Sequence, residues 1–409
     1  VFLHKCLSWW ELNPHPTALE ADILPKSKSV VASPLSAEFV LALITLGATD
    51  DVHDELLASL GIPDDDSIRS AFSSISSNLK AIKGVTLKVA NKVYIMDGPY
   101  ELNPKLKDDA IKVFDSDFEK LDFSNGPAAA DTINKWVESK TNDRIKDLLS
   151  GDSLSSDSRL VLVNALYFKG TWTKQFEARL TRPLPFHIEE GKTIDVPMMY
   201  KEDNYRYGIS QELNAQLLQL NYIGDEASMI IVLPNEINGL ADVMQKLAGG
   251  HDLMADIGSM FSTKVQVTIP KFKIETEIDL VQLLKNLGIK GIFDPNNTGL
   301  SRLLDNNQPL YVSTAVQKAF IEVNEEGAEA AAATGQFFKI YQSQYSLVFL
   351  VNKIIIFTAK HLLYFNTRVI QCLVFRFLLF LTICMQGYKL GVYKAKGRHC
   401  THHYGYSLL

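Results

Sequence analysis

The order of residue patterns in this 409-residue chain predicts an α+β fold, with helices packed on a large mixed β-sheet. Three observations carry the prediction. Helical patterns crowd the first part of the chain, strand patterns dominate from Arg159 onward, and most of those strands read as members of antiparallel ladders. With 46% hydrophobic and 22% charged residues the chain can bury a sizeable core, and no internal repeat divides it.

The first clear element is "SPLSAEFVLALITLGA" (Ser33 to Ala48), which opens on a Ser/Pro start signal and stays apolar long enough for a buried helix. "DVHDELLASLG" and "IRSAFSSISSNLKAI" follow as amphipathic helices. "VTLKVANKVYIM" (Val85 to Met96) alternates as a strand, and "AAADTINKWVESKTNDRIKDLL" (Ala128 to Leu149) is the longest helical pattern. "RLVLVNALYFKGTW" (Arg159 to Trp172) is mostly apolar, as a strand covered on both faces requires, with Asn164 set inside it. Further strands are expected at "TIDVPMMY", "AQLLQLNYI", "SMIIVLP", "KVQVTIPKFKIE" and "LYVSTAVQKAFIEV". One more helix is expected at "EIDLVQLLKNLGI", closed by Gly288.

The charge divides the chain. From Val1 to Gly335 there are 32 Lys plus Arg against 47 Asp plus Glu, whereas Gln336 to Leu409 holds nine basic residues and no acid. The overall charge of -6 leaves no footprint for nucleic acid. Cys6 is the only cysteine of the first part and Cys372, Cys384 and Cys400 lie in the tail, so no disulfide framework is implied. "VFLHKCLSWWELNPHP" shows no signal-peptide pattern. The chain has no G-x-S-x-G elbow, P-loop or H-E-x-x-H, and no enzyme is expected. "RHCTHH" brings together His399, Cys400, His402 and His403, but no distant pair completes a zinc spacing, so neither metal nor cofactor is expected. Asn296-Asn297-Thr298 is a glycosylation acceptor if the chain is secreted.

"EVNEEGAEAAAATG" (Glu322 to Gly335) fits none of these patterns. Four consecutive alanines favour helix, yet the run is short, flanked by glycines, and preceded by a strand. This segment, with "VVASPLS" (Val30 to Ser36), "LVLVNALYFKGTW" (Leu160 to Trp172) and "VPMMY" (Val196 to Tyr200), resembles the serpins, arthropod members above all. The likeness covers most of Ala18 to Gly335, so residues 18–335 are read as a serpin domain, 1–17 as an atypical leading segment and 336–409 as an atypical basic, apolar tail.

The resemblance implies a serine endopeptidase inhibitor that acts as a suicide substrate: a metastable central sheet takes up its own cleaved reactive loop as a new strand. Glu325, Glu326, Gly327, Ala328, Glu329, Ala330, Ala331, Ala332, Ala333 and Thr334 would form the hinge. A segment that slides between two packed strands needs small side chains, since each bulky group overpacks at about 1–3 kcal/mol. By strand alternation Ala328, Ala330, Ala332 and Thr334 share one face, taken as inward because Glu329 then faces solvent. Family spacing puts the scissile bond between Tyr341 and Gln342, which suits a chymotrypsin-like enzyme, while Lys339 nearby would suit a trypsin-like one.

Ser33 and Asn164 match the family's shutter, although chemistry alone also allows a helix start signal and a satisfied buried amide. Trp172 matches the tryptophan where the loop first enters, or is simply a core aromatic. Gln317 stands where many relatives carry His. The resemblance also implies an extracellular monomer, away from nucleic acid and membranes.

In the tail neither the family's closing proline stretch nor its terminal signature is found, and only "YSLVFLV" is similar to a closing strand. The tail is read as translated intron or a misjoined exon, as an alternative ending, or as a membrane span at Val369 to Met385; the last is disfavoured by Arg376 at its centre, which costs about 2.5–3.5 kcal/mol. Loss of the closing strands would make the rival function a non-inhibitory or inactive serpin-like protein.

Overall fold

The computed structural model describes residues 29–189, 192–306, 308–327, 345–348, 354–359 and 382–384. Two sheets organise it. The first has five strands in the spatial order β10 (Phe272–Asp279), β11 (Val312–Val323), β4 (Leu160–Gly170), β2 (Val85–Met96) and β3 (Asp117–Leu121). The pairings alternate: β10 with β11 antiparallel, β11 with β4 parallel, β4 with β2 antiparallel, β2 with β3 parallel.

The second sheet has nine strands. Its path runs β1 (Val30–Ala32), β14 (Thr382–Cys384), β13 (Ile354–Ala359), β8 (Ala227–Pro234), β7 (Ala215–Asn221), β6 (Lys192–Ser210), β9 (Phe261–Pro270) and β12 (Tyr345–Val348), with β5 (Arg182–Glu189) paired to β6. Three short segments of the acid-free tail therefore occupy sheet positions. β13 extends β8 antiparallel, β14 bridges β13 and β1, and β12 runs parallel to β9.

Helix α1 (Pro34–Leu46) begins as its sequence predicts: the Ser33 hydroxyl accepts from the Ser36 amide, and Pro34 fills a position that needs no amide donor. Every residue after Pro34 is buried. α2 (Asp50–Leu60), α3 (Asp65–Ala81) and α4 (Pro104–Phe114) pack around it, with Phe39, Phe72 and Phe114 meeting edge-on or tilted at 4.9 to 6.3 Å. These helices cover one face of the five-stranded sheet and α5 (Gly126–Lys140) covers the other. β4 shows why its sequence is apolar throughout. Leu160, Leu162, Leu166 and Phe168 join the α1 side, and Val161, Val163, Ala165 and Tyr167 the α5 side.

Two expectations are revised. The helix expected over Ala128 to Leu149 stops at Lys140, where the Thr141 hydroxyl turns back on the Val137 carbonyl and Asn142, Asp143 and Asp147 take left-handed backbone. Asn134 then holds Leu149 by both its amide and its carbonyl, folding the segment back over the sheet. The single strand expected at "KVQVTIPKFKIE" is two, β9 and β10, which part at Lys271 and enter different sheets. The remaining helices are α6 (Leu240–Ala248), α7 (Leu253–Ser259) and α8 (Leu280–Asn286).

Candidate functional site

Three buried amides stand side by side across the five-stranded sheet. Asn91 on β2 pairs with Asn164 on β4, and Asn164 pairs with Gln317 on β11. All three lie on the α1 side, at most 3% exposed. Asn164 Nδ2 donates to the Ser36 carbonyl at 3.0 Å and to Ser36 Oγ and Asn91 Oδ1 at 2.5 Å each. Gln317 Nε2 donates to Asn164 Oδ1 at 2.7 Å and to the Ser33 carbonyl at 2.9 Å, while its Oε1 accepts from the Ser33 amide at 2.9 Å. The β4–β11 seam is thus laced by side chains and tied to the first turn of α1.

The upper end of that seam is closed by a turn. β11 ends at Val323, and Asn324 and Gly327 exchange backbone hydrogen bonds at 3.4 and 3.2 Å, so the chain reverses at once. Gly327 has φ +109, and a Cβ there would stand 2.1 Å from the Gly170 carbonyl oxygen at the end of β4. Only glycine fits that approach. Trp172 grips the same turn, donating from Nε1 to the Asn324 carbonyl and from its backbone amide to the Glu326 carbonyl, each at 3.0 Å. Its indole is stacked on Tyr222 at 4.5 Å.

Glu325 pins the turn from below. The Thr181 hydroxyl donates to its Oε1 at 2.8 Å, Lys271 Nζ lies 2.9 Å from its Oε2, and its carbonyl accepts from the Phe176 amide at 2.8 Å. Burial works against the charged carboxylate, but the hydrogen bonds from Lys271, from its own backbone and from Thr181 outweigh it and hold the carboxyl below its ordinary value. Lys271, at the point where β9 hands over to β10, therefore ties the two-sheet junction to the end of β11.

The structure brings Ser33 and Asn164 together at the seam, and Trp172, Glu325, Glu326 and Gly327 together at its mouth. Ala328, Glu329, Ala330, Ala331, Ala332, Ala333, Thr334, Tyr341 and Gln342 lie outside the described residues, as do His399, Cys400, His402 and His403. Gln317, noted in the sequence only as a departure, is the residue that bridges β4, β11 and α1. Asn91, Thr181 and Lys271 were not predicted. Asn91 shares β2 with Thr86, Lys88 and Lys92 and is not marked out by type, and nothing local marks Thr181 or Lys271, whose partners are 144 and 54 residues away. Among the described residues no group of His, Cys, Asp and Glu is placed to hold a metal ion, and no helix is long and apolar enough to cross a membrane.

Comparison with known proteins agrees with this geometry. The sequence profile of the family Serpin (serine protease inhibitor) matches residues 18–371, a region that runs past Gly335 into the tail. Antichymotrypsin-2 of Bombyx mori is 46% identical over 82% of this chain and 87% of its own length. Antitrypsin of the same species is 49% identical, with 75% of this chain and 77% of that protein covered. Among solved structures, Serpin48 of the insect Tenebrio molitor superposes with a TM-score of 0.77 at 28% identity, covering 94% of this chain and 95% of that one. The chain belongs to the serpin family. It is a serine protease inhibitor with an arthropod-like serpin fold, not an enzyme, and its partners are serine proteases.

Two outcomes follow from the site. Gln317→Leu removes the hydrogen bonds that Gln317 makes to the Ser33 amide, the Ser33 carbonyl and Asn164 Oδ1, so urea unfolding should show a loss of about 1–3 kcal/mol; an unchanged midpoint would show that the amide lacing carries no load. Because the Glu325 carboxyl is held below its ordinary value of 4.5, its contribution is complete above that value and is lost as pH falls through the lowered one. Glu325→Gln should therefore be less stable than the parent at neutral pH, and the deficit should shrink as the pH is brought down through the carboxyl's lowered range. A deficit that persists in acid would contradict the clamp.

Proposed function

We propose that this chain traps its protease by inserting residues 328 onward, as a strand, into the β4–β11 seam. The observation that carries the reading is the reversing turn at Asn324–Gly327, seated at the mouth of a parallel seam. A strand inserted from this turn would run antiparallel to β11, and therefore antiparallel to β4 as well. A strand placed between them would replace one parallel ladder by two antiparallel ones, which are slightly more stable per residue. Ala328, Ala330, Ala332 and Thr334 face inward and Glu329 outward. An insert of about fifteen residues spans roughly 50 Å, enough to carry an attached enzyme along the whole sheet.

The bait is the bond between Tyr341 and Gln342. The protease serine attacks the Tyr341 carbonyl, the Gln342 amine leaves, and an acyl-enzyme ester forms. β12 begins at Tyr345 and pairs with β9 in the other sheet, so the chain after the cut stays anchored while the part before it is freed to insert. The names of the Bombyx relatives support chymotrypsin-like or trypsin-like targets. We read the protein as secreted and acting outside the cell, as a monomer, with residues 18–335 as the serpin body.

Incubating the purified chain with chymotrypsin or trypsin should yield a denaturation-resistant band near the summed masses. Ala332→Arg should convert the inhibitor to a substrate, because an inward cation adds both overpacking and an unpaired buried charge. If the variant still forms as much complex as the parent, the inward assignment fails. If the parent gives only cleaved chain, the trap itself fails.

A further inference from the structure

The segment after the short turn at Gly291–Phe293 is anchored on both sides and exposed in its middle. Asp294 Oδ1 accepts from the Asn296 amide at 2.9 Å and from Asn296 Nδ2 at 3.3 Å, and the Asp294 carbonyl accepts from the Asn297 amide at 3.1 Å. Asn297 is half-buried, its Oδ1 accepting from the Gly299 amide at 2.7 Å. Gly299 is buried, and its carbonyl accepts from the Thr49 amide at 2.8 Å. Asn296 and Thr298 alternate with these anchors and are both exposed. They are also the first and third residues of the one Asn-x-Ser/Thr triplet in all 409 residues.

The position within the fold is defined by its neighbours. The following residues pair Leu304 with Leu102, place the Asp305 amide on the Glu101 carbonyl, and put the Tyr311 hydroxyl on the Asp157 carbonyl. β11 then starts at Val312, opposite Leu160, the start of β4. The triplet therefore belongs to the end of the five-stranded sheet where β4 and β11 begin, and the Gly327 turn to the end where they finish.

We propose that Asn296 is the chain's N-glycan acceptor, at the pole opposite the hinge. The inference rests on the secreted part of the reading above. The donor is an oligosaccharide linked through diphosphate to a lipid. Asn296 Nδ2 bonds to the anomeric carbon of the first sugar, the carbon–oxygen bond to the diphosphate breaks, the lipid diphosphate leaves, and the amide loses one proton. The transferase works on the unfolded chain during translocation, so the folded structure must only tolerate the product. It does, because Asn296 and Thr298 are exposed while Asn297 and Gly299 anchor the segment. A glycan here leaves the turn at Asn324–Gly327 and the seam mouth uncovered.

The test translates the full chain, behind a heterologous signal peptide, in the presence of microsomes. The parent should give a protease-protected band that runs slower by one glycan and collapses on treatment with peptide N-glycosidase, leaving deamidation at position 296. Asn296→Gln and Thr298→Ala, which alter exposed side chains differently, should both abolish the shift. A protected parent band with no shift overturns the proposal, and so does a shift that survives in either variant. If the microsomal product is glycosylated but the native protein is recovered unmodified from the cytosol, the secreted reading falls and the acceptor chemistry stands.

Discussion

The parallel pairing of β4 with β11 is the constraint on which the rest of the molecule depends. Around it the sheet joins two pairs of sequence neighbours, β10 with β11 and β2 with β3, through β4, and both faces are covered, by α1 to α4 on one side and α5 on the other. The seam is held by its backbone ladder and by the amide row of Asn91, Asn164 and Gln317. Asn164 is bonded to Ser36 and Gln317 to Ser33, the two residues that also cap α1. One short sequence, "SPLS", therefore starts a helix and fastens a sheet, so separating β4 from β11 also disturbs the first turn of the most buried helix.

A sheet that can accept a further strand stays as it is only while that strand is kept out. Two restraints do this at opposite ends of the segment. At one end Trp172, Thr181 and Lys271 fasten the turn after β11, and at the other Tyr345–Val348 is paired into the nine-stranded sheet. On the α5 side, Lys318 of β11 donates to the Lys146 and Asp147 carbonyls, so the folded-back segment after α5 is also fastened across the seam. The barrier to insertion is thus distributed over polar ties of modest individual strength, as suits a fold that must be persistent yet releasable.

Much of this was legible in the sequence because it is local or periodic. The start of α1, the bounds of β2 and the fully covered character of β4 follow from capping residues, alternation and an unbroken apolar run. The hinge reading rests on small residues where a strand should continue, and from Ala328 onward it lies outside the described residues. What was not legible depends on distant partners. Thr181 and Lys271 are ordinary surface residue types until the fold sets Glu325 between them. Gln317 read as a departure, yet an amide offers donor and acceptor together, which the bridge between Ser33 and Asn164 requires. The helical pattern through Leu149 misled because Thr141 and Asn134 satisfy the backbone there better than another helical turn would. In the tail, β13 and β14 lie in a stretch so uniformly apolar that alternation has no contrast to show.

The central claim is that the β4–β11 seam opens to take the chain's own loop as a strand once that loop is cut. The direct measurement is the thermal midpoint before and after the loop alone is nicked, by a protease that releases the cleaved chain. Insertion adds a central strand, and the account predicts that the nicked molecule melts far above the intact one. A midpoint that is unchanged or lowered by the nick would mean that the β4–β11 seam stays closed, and would contradict the account.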